Sequence, residues 1–316
     1  MHSQSITQKE YITDSSLHSE ILKDWALTYD QVSAGRFESF LREISFDGVQ
    51  IYEEKFKPSI FQRGEARKDS LCIGLFSEIS DHAIWMGKNI GGKEILSCYD
   101  QDEIFLRTPE NSAFCSLTIP LDLLDLNEKQ LSCIRDCHIL CEEKSKLFHY
   151  RFINLVNNIM QNNDALNHEI VKKQVKSEMI ELSDSFLNML CDHREPTKVS
   201  TQRANQVVKK VCDILHENHD QFYSIEELSQ LTCTSRRTLQ NCFELITGKS
   251  PALFLKIVKL NAVRRALYNA NENSSIGDIA SEWGFWHLSQ FAMDYKRLFG
   301  ESPSQTLSQS KTLRRS

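Results

Sequence analysis

The sequence predicts an α+β protein of two domains, a small N-terminal β-barrel with dimerisation helices and a C-terminal all-α domain holding two helix–turn–helix units. Three observations predict it. A unit near the C-terminus occurs twice: Phe243-x4-Gly248-Lys249-Ser250-Pro251 returns 52 residues later as Tyr295-x4-Gly300-Glu301-Ser302-Pro303. Residues 36–119 hold many short apolar runs broken by Gly, Asp and Asn. From about Asn127 the apolar spacing becomes helical. A length of 316 residues suits two domains, and 41% hydrophobic with 25% charged residues is globular composition.

The β-rich part opens with Arg36–Phe46, then Asp47-Gly48, then Val49–Phe56, the pattern of a hairpin about a tight turn. Further strands are expected at Leu71–Phe76, Ala83–Met86, Glu94–Tyr99, Glu103–Arg107 and Ala113–Ile119. Many short strands between turn residues predict a small barrel or jelly roll, whose mouth is a common place for a small ligand. His82 is the one histidine in this stretch, so no clustered metal-ligand set is expected there. Residues up to His18 are polar, and no apolar run nears the roughly 20 residues of a membrane span. The expectation is a cytoplasmic protein with no membrane partner.

In the helical stretch that follows, Val175, Met179, Leu182, Phe186 and Met189 form a heptad-like stripe. It can pack this helix onto the barrel or join two copies in a homodimer, and the pattern suits both. Ten scattered cysteines lack a disulfide-framework spacing, so reduced thiols are expected. Cys133, Cys137, His138 and Cys141 form C-x3-C-H-x2-C. On a helix the three thiols share a face, where they either bind a soft metal as a sensor or serve as small packing residues. No Walker loop, dinucleotide fingerprint or zincin motif appears, so neither enzymatic activity nor a required cofactor is expected. The polar stretch 193–206, with Pro196, reads as a linker between a first domain at 20–192 and a second at 207–307.

The net charge of −6 divides unevenly: residues 201–316 carry 15 Lys+Arg against 11 Asp+Glu, a balance of +4, leaving −10 for residues 1–200. The positive excess coincides with the repeat. Attraction to phosphates is local and screened within about 10 Å at moderate salt, so the acidic part does not veto binding to double-stranded DNA.

In the first copy, Ile225-x2-Leu228-Ser229 anchors a short helix, a turn passes through Thr232, Cys233 and Thr234, and Ser235 caps the next helix. Leu239 and Phe243 point inward, leaving Arg236, Arg237, Thr238, Gln240 and Asn241 on the other faces. These suit a major groove, because Arg pairs with guanine and Gln or Asn with adenine. In the second copy Ile276-x2-Ile279-Ala280 is the matching anchor, with Phe291 and Tyr295 inward. Outward lie His287, Ser289, Gln290, Met293, Lys296 and Arg297; Ser289 and Gln290 suit bases, Lys296 and Arg297 phosphates, and Trp283 and Trp286 are expected to pack. Between the copies, a helix from Pro251 to about Leu267 carries Lys256, Lys259, Arg264 and Arg265 and is long enough to space two reading helices along one side of a duplex.

At these residues the chain resembles the AraC/XylS family of bacterial transcription regulators. The resemblance covers about residues 205–306 and rests on Lys259-Leu260-Asn261-Ala262-Val263-Arg264, on Ile276-x2-Ile279-Ala280-x3-Gly284-Phe285, and on Phe291, Tyr295-Lys296 and Phe299-Gly300-x-Ser302-Pro303-Ser304. It implies that Arg237, Gln240 and Asn241 read bases from the first helix and Ser289, Gln290 and Met293 from the second. Arg236, Thr238, His287, Lys296 and Arg297 are then assigned to the DNA backbone. Met293 stands where many members carry a polar residue, which points the second unit toward backbone or thymine-methyl contacts. The resemblance further implies a cupin-like N-terminal domain for a small-molecule effector and dimerisation, with RNA polymerase the expected partner of an activator. Within the family, Ser235–Asn241, Leu260–Arg265 and Trp283–Leu288 resemble the ethanolamine-utilisation regulators, which implies ethanolamine with adenosylcobalamin as effectors of a catabolic operon.

Overall fold

The computed structural model describes residues 6–22, 24–134, 138–140, 145–193, 199–217, 221, 223–270 and 274–313. Twelve strands are described: β1 (Ile6–Ile12), β2 (Ala26–Gln31), β3 (Ser39–Phe46), β4 (Val49–Phe56), β5 (Ile60–Glu65), β6 (Ser70–Glu78), β7 (Ala83–Trp85), β8 (Lys88–Ile90), β9 (Ile95–Tyr99), β10 (Glu103–Arg107), β11 (Ser112–Pro120) and β12 (His138–Leu140). They form a seven-stranded sheet in the order β1-β3-β4-β11-β6-β9-β12 and a five-stranded sheet in the order β2-β5-β10-β7-β8. The expected β-domain is present, but among the described residues it is two open sheets and not a closed barrel. Sheet pairing reaches back to Ile6, because β1 runs antiparallel to β3 from Ile6↔Ser45 to Ile12↔Ser39.

The period-two alternation of each strand assigns its two faces to different layers. Along β6, Leu71, Ile73 and Leu75 join one core while Cys72 and Phe76 join another. Along β11, Cys115, Leu117 and Ile119 face one way and Phe114 the other. The first face packs on α3 (Lys146–Gln161) and α4 (Glu169–His193) through Phe148, Phe152, Leu182 and Phe186. The second face meets the five-stranded sheet through Tyr29, Trp85, Ile104 and Leu106. Val175, Met179, Leu182, Phe186 and Met189 all belong to the α3–α4 layer, so the heptad-like stripe is used inside the chain.

The space between the sheets is largely filled. His18, on α1 (Ser15–Ile21), sits 2.8 Å from Glu54 Oε1 and 2.9 Å from Ser39 Oγ, and the Tyr29 hydroxyl donates to Glu54 Oε1 at 2.7 Å. The cavity left beside Trp25, Tyr52, Trp85 and Phe114 is about 30 Å³, room for about one water. That cavity is too small to hold an organic effector.

The helical part comprises α5 (Val199–Glu217), α6 (Ile225–Leu231), α7 (Arg236–Thr247), α8 (Pro251–Tyr268), α9 (Ile276–Glu282), α10 (Leu288–Phe299) and α11 (Pro303–Leu313). Residues 199–206, read as linker, already belong to α5, where Ala204 is buried. The outer face of the five-stranded sheet packs on this part: Phe61 and Phe105 share a core with Val208, Phe243 and Phe254, and the Phe61 and Phe254 rings meet edge to face at 5.2 Å.

Cys133 lies on α2 (Glu128–Ile134), and His138–Leu140 pairs with β9 as a strand. Cys137 and Cys141 lie outside the described residues. Among the described residues no cluster of three or more His, Cys, Asp or Glu has metal-site geometry, and no helix is long and apolar enough to cross a membrane.

Candidate nucleic-acid interface

Both copies of the repeat build a short helix, a turn and a longer helix. α6 begins with a capping box: Ser224 Oγ accepts from the Glu227 N–H at 3.2 Å, and the Ser224 N–H donates to Glu227 Oε2 at 2.7 Å. The turn is closed by the Thr234 N–H donating to the Ser229 carbonyl at 2.9 Å and by Ser229 Oγ donating to the Thr234 carbonyl at 2.8 Å. Ser235 caps α7, accepting from the Thr238 N–H at 3.1 Å. α9 starts at the cap Ser275, and the Phe285 N–H donates back to the Ala280 carbonyl at 2.9 Å. α7 and α10 both end on a left-handed glycine, Gly248 at φ 66° and Gly300 at φ 69°, which is why the repeat places Gly at that position.

On α7, Leu239, Cys242, Phe243 and Ile246 are buried, while Arg236, Arg237 and Asn241 are exposed. Arg236 forms an ion pair with Glu226, and Gln240 Nε2 donates to Glu244 Oε1 at 2.5 Å. The Thr238 hydroxyl lies 2.9 Å from Ser235 Oγ, in the cap of the helix. Among the described residues Arg237 and Asn241 hold no side-chain partner and project from the domain.

On α10, Phe291, Tyr295, Leu298 and Phe299 are buried, and His287, Ser289, Gln290, Lys296 and Arg297 are exposed. Gln290 Nε2 donates to Asp294 Oδ2 at 3.0 Å, and Lys256 of α8 approaches the same oxygen at 2.5 Å. Burial opposes ionisation of Asp294, but the hydrogen bonds from Lys256 and Gln290 prevail and hold its carboxyl below the usual range. Trp283 packs on the core as expected, whereas Trp286 is 68% exposed, with Met293 at 56% and Leu288 at 49%.

α8 carries the seam with the β-domain, a role its sequence did not announce. Asn261 Oδ1 accepts from the Gln31 N–H at 2.9 Å while its Nδ2 donates to the Gln31 carbonyl at 3.0 Å. Arg264 Nε reaches Asp14 Oδ2 at 2.5 Å, and its Nη1 reaches Glu301 Oε1 at 2.8 Å. Burial alone would favour a neutral Arg264, but the Asp14 carboxylate raises its pKa above the ordinary value. Arg265 reaches Asp30 at 2.8 Å, and Arg63 stands 3.5 Å from the other Asp30 oxygen. Lys256, Arg264 and Arg265 thus meet carboxylates of this chain. Asp14, Asp30 and Gln31, each at least 230 residues from its partner on α8, and Glu301, 37 residues beyond Arg264, completed a site that sequence reasoning missed, since nothing local marks such partners.

A cavity of about 270 Å³ opens along this seam, lined by Arg63, Cys212, His216, Lys259, Arg265 and Trp283, among others. Burial lowers the pKa of Lys259. Burial also pushes Cys212 up to about 11 and Cys115 up to about 12. Cys191 is raised to about 11 by burial and by the neighbouring Cys133 thiol. These thiols stay protonated near neutral pH, which is unlike a thiol sensor.

A family model described as a helix-turn-helix domain matches residues 228–309. The chain is similar to "XylDLEGF operon transcriptional activator 2" of Pseudomonas putida, 39% identical over 105 residues that make up 33% of this chain and 67% of the relative. It is similar also to "XylDLEGF operon transcriptional activator" of the same organism, 37% identical over 110 residues, and there the match spans about a third of each chain, 34%. Among solved structures it is similar to a probable AraC family transcriptional regulator from Rhodopseudomonas palustris CGA009, 32% identical over 33% of this chain and 97% of that one, with a TM-score of 0.31.

Proposed function

The chain belongs to the AraC/XylS family of bacterial transcription regulators, and from that premise we propose that it is a ligand-responsive, sequence-specific activator of a small-molecule catabolic operon. The observation that carries the reading is the presentation of α7 and α10, two like-built helices with exposed outer faces, on either side of α8. α7 reads bases with Arg237, Gln240 and Asn241, while Arg236 and Thr238 serve the backbone. Ser289, Gln290 and Met293 form the base-facing set of α10, with His287, Lys296 and Arg297 toward phosphates. The 18 residues of α8 span about 27 Å, which suits two successive major-groove segments on one side of a duplex. The Pseudomonas putida relatives are named as operon transcriptional activators, which supports activation; RNA polymerase as partner and a homodimer as working unit belong to the same proposal.

The effector site is the seam cavity. It joins Arg63 of the β-domain to Lys259 and Arg265 of α8, so an occupant has a different affinity for docked and undocked arrangements, the condition for control by a ligand. Its basic groups and the apolar walls of Leu215, Val258 and Trp283 suit a small organic anion with an apolar body. Ethanolamine, a cation at neutral pH, meets no carboxylate among the residues that line the cavity, and adenosylcobalamin far exceeds 270 Å³.

The test is selection of bound sequences from random duplexes by the full chain, followed by footprinting. The expected result is an asymmetric site of two adjacent major-groove segments. Protection no better than on random sequence would refute the regulator reading. A thermal-shift series of small carboxylates and amines tests the effector: carboxylates should stabilise the wild type but not Lys259→Met, and equal shifts in both would dismiss the cavity.

A further inference from the structure

We propose that α10 recognises thymine through its 5-methyl group, using the exposed apolar surface that Trp286, Leu288, Ala292 and Met293 place on the outer side of the second unit. The proposal deepens the DNA-binding reading and rests on it. Its first support is the internal repeat. The offset that aligns Phe243 with Tyr295, Gly248 with Gly300 and the cap Ser235 with His287 also aligns the outward positions of the two helices. Thr234 matches Trp286, Arg236 matches Leu288, Gln240 matches Ala292 and Asn241 matches Met293. At four positions a hydrogen-bonding side chain of the first unit is replaced by an apolar one, while Arg237 against Ser289 and Thr238 against Gln290 stay polar.

The second support is exposure. Trp286 is 68% exposed, Met293 56% and Leu288 49%, and Ala292 is exposed as well. Leu288 and Ala292 are four apart on α10, as are Ser289 and Met293, so these side chains share one side of the helix. The inner side is separately satisfied by Phe291, Tyr295, Leu298 and Phe299. The apolar surface is thus not a misplaced part of the core. Gln290, the one amide on this helix that suits adenine, is held by Asp294, which matches the buried Cys242 of the first unit.

The third support is charge. Lys296 stands where the first unit has Glu244, and Arg297 and His287 are exposed nearby. An apolar surface framed by cations matches a major-groove wall, where phosphates flank the base edges and the thymine methyl is the apolar group on display. A protein partner such as RNA polymerase is the competing occupant, and the experiment separates the two.

The experiment uses the full chain and its selected site. Each thymine is replaced in turn by deoxyuridine, which pairs with adenine identically and lacks only the 5-methyl. Deoxyuridine in the segment under α10 should weaken binding about fourfold per methyl lost, and the same change under α7 should do markedly less. Met293→Ala and Trp286→Ala, both surface changes, should keep the thermal midpoint and the salt slope while removing the thymine-over-deoxyuridine preference. Unchanged binding to deoxyuridine sites would overturn the proposal while leaving DNA binding intact. So would variants that keep the thymine preference but lose transcription activation, which would assign the surface to a protein. Absence of any selected site would overturn this proposal and the regulator reading together.

Discussion

Arg264 of α8 and Asp14, 250 residues earlier in the chain, form a buried ion pair at 2.5 Å with both side chains at most 4% exposed. Glu301 closes the other side of the guanidinium at 2.8 Å, and the Phe299 ring lies 4.7 Å beneath it. One arginine therefore fastens the start of the β-domain to both α8 and the end of the second copy of the repeat. Gln31 adds to this from the β-domain, its Nε2 donating to the Leu298 carbonyl at 2.8 Å.

Removing Asp14 leaves the buried Arg264 with Glu301 as its remaining carboxylate. Asp14→Asn is expected to lower stability by about 3 kcal/mol, read from the urea midpoint of the full chain. The joint change Asp14→Leu with Arg264→Met should cost less than the two single changes summed. Equal midpoints for wild type and Asp14→Asn would show that the pair contributes nothing.

Arg237 and Asn241 are exposed polar side chains of α7 with no side-chain partner among the described residues. Arg237→Ala should weaken the selected site by about 1–3 kcal/mol and relax preference at one base pair. Binding to scrambled duplex should change far less. Identical losses on both would demote Arg237 to a backbone contact.

Lys296→Ala should act oppositely, weakening all sequences alike and reducing the salt slope by about one. A titration of affinity against salt concentration decides this, and an unaltered slope removes Lys296 from the phosphate contacts.

Asp294 predicts an acid-limb effect. Its carboxyl is held below the ordinary value in the folded state, so its stabilisation is fully present above the unfolded pKa of about 4. It is lost as pH falls through the lower folded value. The midpoint difference between wild type and Asp294→Asn should be constant near neutrality and shrink at the acid end. A difference that persists undiminished to the acid end of the titration would mean that ionisation of Asp294 is not what stabilises.

Thiol chemistry gives a separate check. Cys115 and Cys212, raised to about 12 and about 11 by burial, should resist alkylation in the native state. Cys233, exposed in the α6–α7 turn, should label well before them. Mass-mapped labelling that finds Cys212 modified as fast as Cys233 would show that the seam opens readily.

Much of the helical part was legible because its signals are local. Ser235, Ser250 and Pro251 mark helix starts, Gly248 and Gly300 mark helix ends, and the spacing of Leu239, Phe243, Phe291 and Tyr295 marks inner faces. The strands predicted between residues 36 and 119 were found for the same reason, as alternation and turn residues lie within a few positions. The strands that escaped, Ile6–Ile12, Ala26–Gln31, Ile60–Glu65, Lys88–Ile90 and His138–Leu140, are short, polar or set among irregular stretches. Their existence depends on partners elsewhere in the sheets. Trp286 escaped differently: a large aromatic ordinarily packs, and its exposure is set by where the α9–α10 turn points.

Helix registers, caps, the doubled unit and the polarity of each reading face follow from neighbours within a turn or two, so residue order alone determines them. The separation into two sheets, the filled space around His18 and Glu54, and the engagement of Arg264 with Asp14 and of Asn261 with Gln31 were decided by tertiary packing. Such pairings join residues far apart along the chain. Alternation can place Phe61 and Phe105 on the outward face of their strands, but only the meeting of that face with Phe254 turns it into a domain seam.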